Sequence, residues 1–216
     1  MLKISHSKMN FTNFKEKINS LKTRELGGLE AQFKMAPKLR LQYTKDKIEA
    51  QKPKRAAVLA LFYPNEEQTT TLLLTQRASY KGTHSAQISF PGGKIEKSDI
   101  NLAETALREA YEEVGVSKSS IEIIRELTDV YIPPSNFLAT PFIGFSDIKP
   151  TFVLNHEVEN IIEITIDDLL DDKNISTINL TTSYMKNIDV PCFKINNYII
   201  WGATGMMLSE IKELLQ

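Results

Sequence analysis

The chain reads as an α/β domain, and two patterns predict that class. Short apolar runs bounded by turn residues alternate with segments whose apolar residues recur at helical spacing. A third observation is local: one predicted helix between the strand candidates is strongly acidic, with too little positive charge beside it.

The elements follow in order. Phe11, Phe14, Ile18 and Leu21 recur at intervals of 3, 4 and 3, which predicts an amphipathic helix over residues 11–24 that docks on a core. Gly27-Gly28 is expected to end it. Residues 29–55 are polar and basic, with Pro37 and Pro53, and read as a connecting segment. The expected organisation is therefore residues 1–52 as an N-terminal helix plus basic connector, and residues 53–216 as the main domain. Ala56–Phe62 and Thr70–Thr75 predict adjacent buried strands with a turn at Pro64-Asn65, and Gln87–Phe90 predicts a third. Pro91-Gly92-Gly93 breaks regularity before the acidic helix, where glycines permit positive φ and a close approach to a ligand. Gly115 suits a left-handed helix terminator. Ile121–Val130 and Phe142–Phe145 are strand candidates around a turn-rich loop, Tyr131–Asn136. Thr151–Leu154 and Asn160–Ile166 read as extended, on either side of Asn155-His156-Glu157. Asp167–Asp172 reads as a helical turn with solvated acids. Asn197–Trp201 predicts a last strand, and Met207, Ile211, Leu214 and Leu215 one face of a closing helix.

At 216 residues with 42% hydrophobic and 25% charged, the composition is that of an ordinary globular protein with a substantial core. The longest strongly apolar run, Ala56–Tyr63, is too short to span a bilayer, and the N-terminus lacks the apolar segment of a secretory signal. Cys192 stands alone, permits no internal disulfide and fits a reducing compartment; in its apolar run it reads as a small buried hydrophobe. Cytoplasm is the expected location. Charge is uneven: residues 1–55 carry +9 and residues 56–216 carry −10. The basic residues are scattered, so the arm reads as solvated or as mildly steering toward polyanions. Nucleic acid is not the expected partner.

On a helix over Ala103–Val114, the residues Ala103, Leu107, Ala110 and Val114 form an apolar stripe facing a core. Glu109, Glu112 and Glu113 crowd about a third of the circumference, with Arg108 one turn before Glu112. Like charges at these spacings cost a helix a few tenths of a kcal/mol per pair, and one arginine cannot neutralise three carboxylates. A divalent cation is the simplest source of the missing charge. An all-oxygen set without His or Cys suits Mg²⁺ or Mn²⁺, ions that normally act on phosphates. The alternative is a solvated acidic face.

Gly93, Asp99, Arg108, Glu109, Glu112, Glu113 and Gly115 resemble the signature of the Nudix hydrolases. Asp99 stands where the general pattern has Glu, and eight residues separate it from Arg108 where that pattern has seven. The resemblance implies a Nudix fold, a mixed β-sheet sandwiched between helices (α/β/α), with the acidic helix at a substrate cleft and metal-dependent cleavage of a diphosphate. It implies Glu109 and Glu113 as holders of the principal Mg²⁺ or Mn²⁺, and Glu112 as a further ligand or the general base. Glu157, on a distant loop, is the other candidate base. Arg108 would orient a carboxylate, and Gly92 and Gly93 would shape the loop over the metal.

Residues 73–93 resemble a second motif, that of the coenzyme A pyrophosphatase branch. Leu73, Leu74, Thr75, Arg77, Ala78, Phe90, Pro91, Gly92 and Gly93 match. Gly82 occupies a usually basic position beside Lys81, and Ala86 replaces a glycine. The nine-residue step from Asp99 to Arg108 is usual in this branch, and the likeness extends over residues 53–216. It implies hydrolysis of coenzyme A or its thioesters to 3′,5′-ADP and 4′-phosphopantetheine or its acyl form. Another nucleoside diphosphate, such as ADP-ribose or NADH, is the nearer alternative; a non-catalytic nucleotide- or nucleic-acid-binding protein on the same fold is the other. The 3′-phosphate of coenzyme A requires a cation such as Arg77 or Lys81, although Arg77 could equally serve a structural ion pair. His84 either contacts substrate or fills a turn. The expected partner is a small molecule, coenzyme A or an acyl-CoA, with no membrane; a homodimer is left open.

Overall fold

The computed structural model describes residues 9–78, 87–181 and 186–216. Strand β1 (Lys54–Pro64) is its axis. Its residues are apolar without alternation because both faces are covered, the pattern expected of a strand between two helical layers. Ala57, Leu59, Leu61 and Tyr63 point to one layer, whereas Ala56, Ala60 and Phe62 point to the other.

Three strands pair with β1 directly and four more lie across one neighbour. Antiparallel β2 (Thr70–Arg77) meets its C-terminal half, with Phe62 opposite Leu72, and β3 (Ile88–Ser89) pairs onward with β2. Short β4 (Gly92–Lys94) meets the N-terminal half, with Val58 opposite Gly92 and Ala56 opposite Lys94. The predicted strand over Ile121–Val130 is two pieces, β5 (Glu122–Glu126) and β6 (Val130–Ile132), both antiparallel to β7. Strand β7 itself covers Phe137–Phe145, longer than expected, and runs parallel to β1 from Lys54 opposite Phe137 to Phe62 opposite Phe145. Strand β8 (Val158–Thr165) closes the far side of β2. A separate antiparallel sheet follows, formed by β9 (Ile175–Leu180), β10 (Ile188–Ile195) and β11 (Tyr198–Trp201). Cys192 lies buried on β10, and burial pushes its thiol up. Thr151–Leu154, expected to be extended, forms no strand; it is tied to the acidic helix by the Val153 amide donating to Val114 O and the Asn155 amide to Glu113 O.

Helix α1 (Phe11–Thr23) starts at Asn10, whose side chain accepts from the Asn13 amide at 2.8 Å. That N-cap satisfies one of the unpaired first-turn donors. Phe11, Phe14, Ile18 and Leu21 are all buried, and the Phe14 ring lies 4.9 Å from that of Phe62. The helix ends before Gly27-Gly28; Gly28, at φ 57°, instead begins α2 (Gly28–Phe33). The expected connector over 29–55 thus contains α2, a 3₁₀ turn over Lys38–Gln42 and α3 (Lys45–Ala50). It is fixed from below. Gln32 donates to Thr128 O and to Glu210 of α6 (Gly202–Leu215), both at 2.9 Å. The apolar face expected for α6 is buried, Met207, Ile211, Leu214 and Leu215 included. The Asp167–Asp172 stretch forms α5 (Ile166–Leu170) and a 3₁₀ turn.

On the opposite layer lies the acidic helix, α4 (Leu102–Val114), capped by Asn101 and closed by Gly115 in the left-handed conformation at φ 75°. Its buried apolar positions are Ala106, Ala110 and Val114, against Leu59 and Leu61. The stripe predicted through Ala103 and Leu107 is only its partly buried flank. This small rotation matters, because it carries Glu113 to the inner side, where it is 3% exposed.

Candidate active site

Arg108 organises one side of the acidic face. Its Nε and Nη2 donate to the two oxygens of Asp99 at 2.9 and 3.1 Å, and Nη2 also to Lys94 O at 3.0 Å. Nη1 donates to Glu109 Oε1 at 2.9 Å and to Glu112 Oε2 at 3.0 Å. Asp99 further accepts from the Glu96 amide and Thr105 Oγ1, each at 2.9 Å. The Arg108 hydrogen bonds hold the Asp99 carboxyl well below the usual carboxylate range, and Asp99 in turn raises Arg108. A planar guanidinium suits this task because it serves several acceptors at fixed angles. Arg108 is therefore committed within the protein.

Arg77, at the end of β2, organises the other side. It donates through Nη2 to Glu157 Oε2 at 2.9 Å and through Nη1 to Glu113 Oε1 at 3.4 Å. Glu113 Oε2 accepts from the Gly92 amide at 3.1 Å. Burial pushes the Glu113 carboxyl up to about 7, against the pull of Arg77 and Gly92 and with added repulsion from Glu109 and Glu157. Burial also raises Glu109, opposed by Arg108. These are carboxylates held close together out of water, the arrangement that disfavours ionisation until a cation arrives.

Gly92 and Gly93 are required for a different reason from the one expected. Neither takes positive φ; both lie in β4. A Cβ on Gly93 would stand 2.4 Å from Glu109 Oε1, and one on Gly92 2.4 Å from Ala57 O. Close approach, not turn geometry, demands glycine there.

Glu109, Glu113, Glu157, Arg77, Gly92 and Gly93 all line one cleft of about 770 Å³. Glu112 is not among the described lining residues; its side chain is 51% exposed and held by Arg108. Lys81 and His84 lie outside the described residues. The opposite wall comes from Pro37–Tyr43, Ile132–Ser135 and Trp201–Thr204; the latter two fall within the stretch that resembles the coenzyme A pyrophosphatase branch, whereas Pro37–Tyr43 read only as connector and was not foreseen as part of a site.

The donor chemistry fits a hard divalent cation: among the described lining residues three carboxylates face one cleft, without His or Cys, and burial raises both Glu113 and Glu109. Among the described residues no three such groups are preassembled as a cage; Arg77 holds Glu113 and Glu157, and Arg108 holds Glu109. A cation entering between Glu113 and Glu157 competes with Arg77.

An acidic helix laid on a mixed sheet, with a divalent-cation donor set opening on a roomy cleft, defines a metal-assisted hydrolase acting on phosphate compounds. Residues 53–180 match the NUDIX domain family. The chain is 32% identical over 163 residues to Nudix hydrolase 3 of Caenorhabditis elegans, covering 67% of each. It is 32% identical over 161 residues to an uncharacterized Nudix hydrolase, NudL, of Yersinia pestis (strain Pestoides F), covering 74% of this chain and 79% of that one. Against mitochondrial Nudix hydrolase 15 of Arabidopsis thaliana it is 31% identical over 163 residues, 73% of this chain but 57% of the relative. The crystal structure of a MutT/nudix family protein from Enterococcus faecalis superposes with a TM-score of 0.52 at 14% identity, over 93% of this chain and 74% of that one, a likeness of fold. The chain belongs to the Nudix family and is a Nudix pyrophosphohydrolase. No helix among the described residues is long and apolar enough to cross a membrane.

Proposed function

We propose that the protein hydrolyses the diphosphate bond of coenzyme A or its thioesters, giving 3′,5′-ADP and 4′-phosphopantetheine or its acyl form. One observation carries this reading: Arg77, Gly92 and Gly93 of the coenzyme A-type motif line the same cleft as Glu109 and Glu113 of the Nudix helix. Among the described residues the Arg77 Nε is buried without a hydrogen-bond partner, a donor available to a phosphate once the side chain leaves Glu113. Buried donors of this kind cost stability unless a ligand completes them.

Glu109 and Glu113 would hold Mg²⁺ or Mn²⁺, with Glu112 or Glu157 as a further ligand. The bound ion supplies Lewis acidity toward the phosphoryl oxygens and a more acidic attacking water. The chain's residues do the rest. A carboxylate takes a proton from water as its oxygen bonds to one phosphorus, and the bridging oxygen leaves with the other phosphate. Glu157 suits the base role because it lines the cleft, whereas Glu112 is committed to Arg108. Arg108 positions Glu109, and Arg77 neutralises charge at the substrate. The lone buried Cys192 agrees with a cytoplasmic setting.

The test is product identification from coenzyme A with saturating Mg²⁺, beside ADP-ribose and NADH. Formation of 3′,5′-ADP at a kcat/KM above those of the other two supports the reading; faster turnover of either rival transfers it to another nucleoside diphosphate. In the same assay Glu157→Gln is expected to lower kcat at least about a hundredfold and Glu112→Gln less than about tenfold. The reverse order would assign the base to Glu112.

A further inference from the structure

At the β6 end of the cleft, Ile132, Pro134 and Phe137 of the matched family span are joined by a segment outside residues 53–180. That segment is the turn after Pro37, which contributes Leu39, Arg40 and Tyr43; the junction of β11 with α6, which contributes Trp201, lines the same cleft and is tied to β3 by Thr204 Oγ1 donating to Ile88 O at 2.9 Å. The floor between the two ends can be counted in strands. Gly93, under the Glu109 carboxylate, belongs to β4; the sheet then passes through β1 and β7 to β6. Three strand steps of about 4.8 Å place the two ends about 14 Å apart. Tyr43 stands at the β6 end, its ring 5.4 Å from that of Tyr131.

This wall is built into the fold. Met35, just before the turn, is 2% exposed in the core. Arg40 Nη2 donates to Tyr131 O at 2.6 Å, and the Asn136 side chain donates to Gln51 O at 3.0 Å on the far side of α3. The turn is held at both ends, so its side chains present a fixed surface.

The two ends differ in chemistry. Among the described lining residues every acidic side chain, Glu109, Glu113 and Glu157, belongs to the catalytic end. The β6 end is apolar or uncharged apart from Arg40, with Leu39, Tyr43, Ile132, Pro134 and Phe137 as its main surfaces. A diphosphate engaged by the carboxylate end would therefore extend an uncharged, elongated substituent toward Tyr43 and Phe137. Apolar walls with few polar groups are what such a substituent requires.

We propose that Leu39 and Tyr43 of the N-terminal segment form the subsite for the pantetheine arm and its acyl extension, and so set selectivity for that half of the substrate. The assignment rests on the coenzyme A reading above. It makes the N-terminal segment a specificity element of the hydrolase, although it lies outside the family span.

Trp201 is the chain's single tryptophan, which provides a reporter independent of turnover. Hexanoyl-4′-phosphopantetheine and 3′,5′-ADP are titrated separately into the full chain, and Trp201 emission and dissociation constants are read. The arm is expected to shift Trp201 emission, and Leu39→Ala and Tyr43→Ala each to weaken it by about tenfold, one large apolar contact. Tyr43→Phe keeps the ring and should keep the affinity; 3′,5′-ADP should bind all four proteins alike. If the arm binds the alanine variants as tightly as the parent, the subsite assignment falls. If instead 3′,5′-ADP shifts Trp201 and is weakened by the same variants, this wall holds the nucleotide and the assignment is reversed. Absence of coenzyme A turnover, by contrast, overturns the proposed reaction without altering these binding outcomes.

Discussion

Glu113→Gln is expected to abolish turnover while making the metal-free protein more stable at pH 8. Glu113 is 3% exposed, and its carboxyl is pushed up to about 7 from an ordinary 4.5, chiefly by burial. For an acid raised in this way, the native state binds more protons than the unfolded state between those two values. Stability therefore falls as pH rises through about 4.5 to 7 and stays reduced above it. The shift corresponds to roughly 3 kcal/mol. Glutamine keeps the shape and removes the charge; Arg77 retains its shorter contact to Glu157. Thermal unfolding in EDTA between pH 5 and 8 should show a downward slope for the parent and a flatter, higher curve for the variant. Mg²⁺ should stabilise the parent at pH 8, by mass action on the native state, and leave the variant nearly unchanged. Turnover should drop at least about a hundredfold, the effect of losing a ligand that acts on developing charge. A variant less stable than the parent in EDTA at pH 8 would mean that the Arg77 contact outweighs burial.

That opposition between stability and function was only half legible in the sequence. The spacing of Glu109, Glu112 and Glu113 announced a charge problem, and the family resemblance supplied its chemistry. Which acid is buried depended on the rotation of α4, and a one-residue change in the buried stripe, from Ala103 and Leu107 to Ala106, decided it. Periodicity cannot fix that rotation when alanines occupy both candidate stripes, because each leaves a similar surface to pack. Strands β1 and β2 were readable since their apolar runs are buried on both faces, and β8 because Ile162 and Ile164 are buried on either side of exposed Glu163. Strand β9 was not, because its burial alternates between exposed and half-buried, and β10 carries Pro191, which argues against a strand interior. The cleft wall at Leu39–Tyr43 was invisible for another reason. It is a 3₁₀ turn without periodicity, and its position follows from tertiary contacts of Gln32, Met35 and Arg40.

Removing Arg108 is the second large effect. Asp99, with a side chain 2% exposed, spends both oxygens on the Arg108 guanidinium. In Arg108→Ala that carboxylate keeps only the Glu96 amide and Thr105 hydroxyl, while Glu109 and Glu112 lose their shared cation. Leaving a buried charge unpaired costs about 3 kcal/mol or more, read as a lower midpoint in urea at unchanged slope. Turnover should fall as well, because Glu109 loses the contact that holds it over Gly93. Arg108→Lys separates charge from geometry. A lysine restores one positive charge but cannot serve Asp99, Lys94 O, Glu109 and Glu112 at once, so it should recover part of the stability and little of the activity. Full recovery by lysine would show that Arg108 acts as a charge alone. Removing both partners in Asp99→Asn/Arg108→Met should cost less stability than the two single losses added together, since neither then strands the other. Activity should stay low in that double variant, because the hydrogen bond that positions Glu109 is still missing.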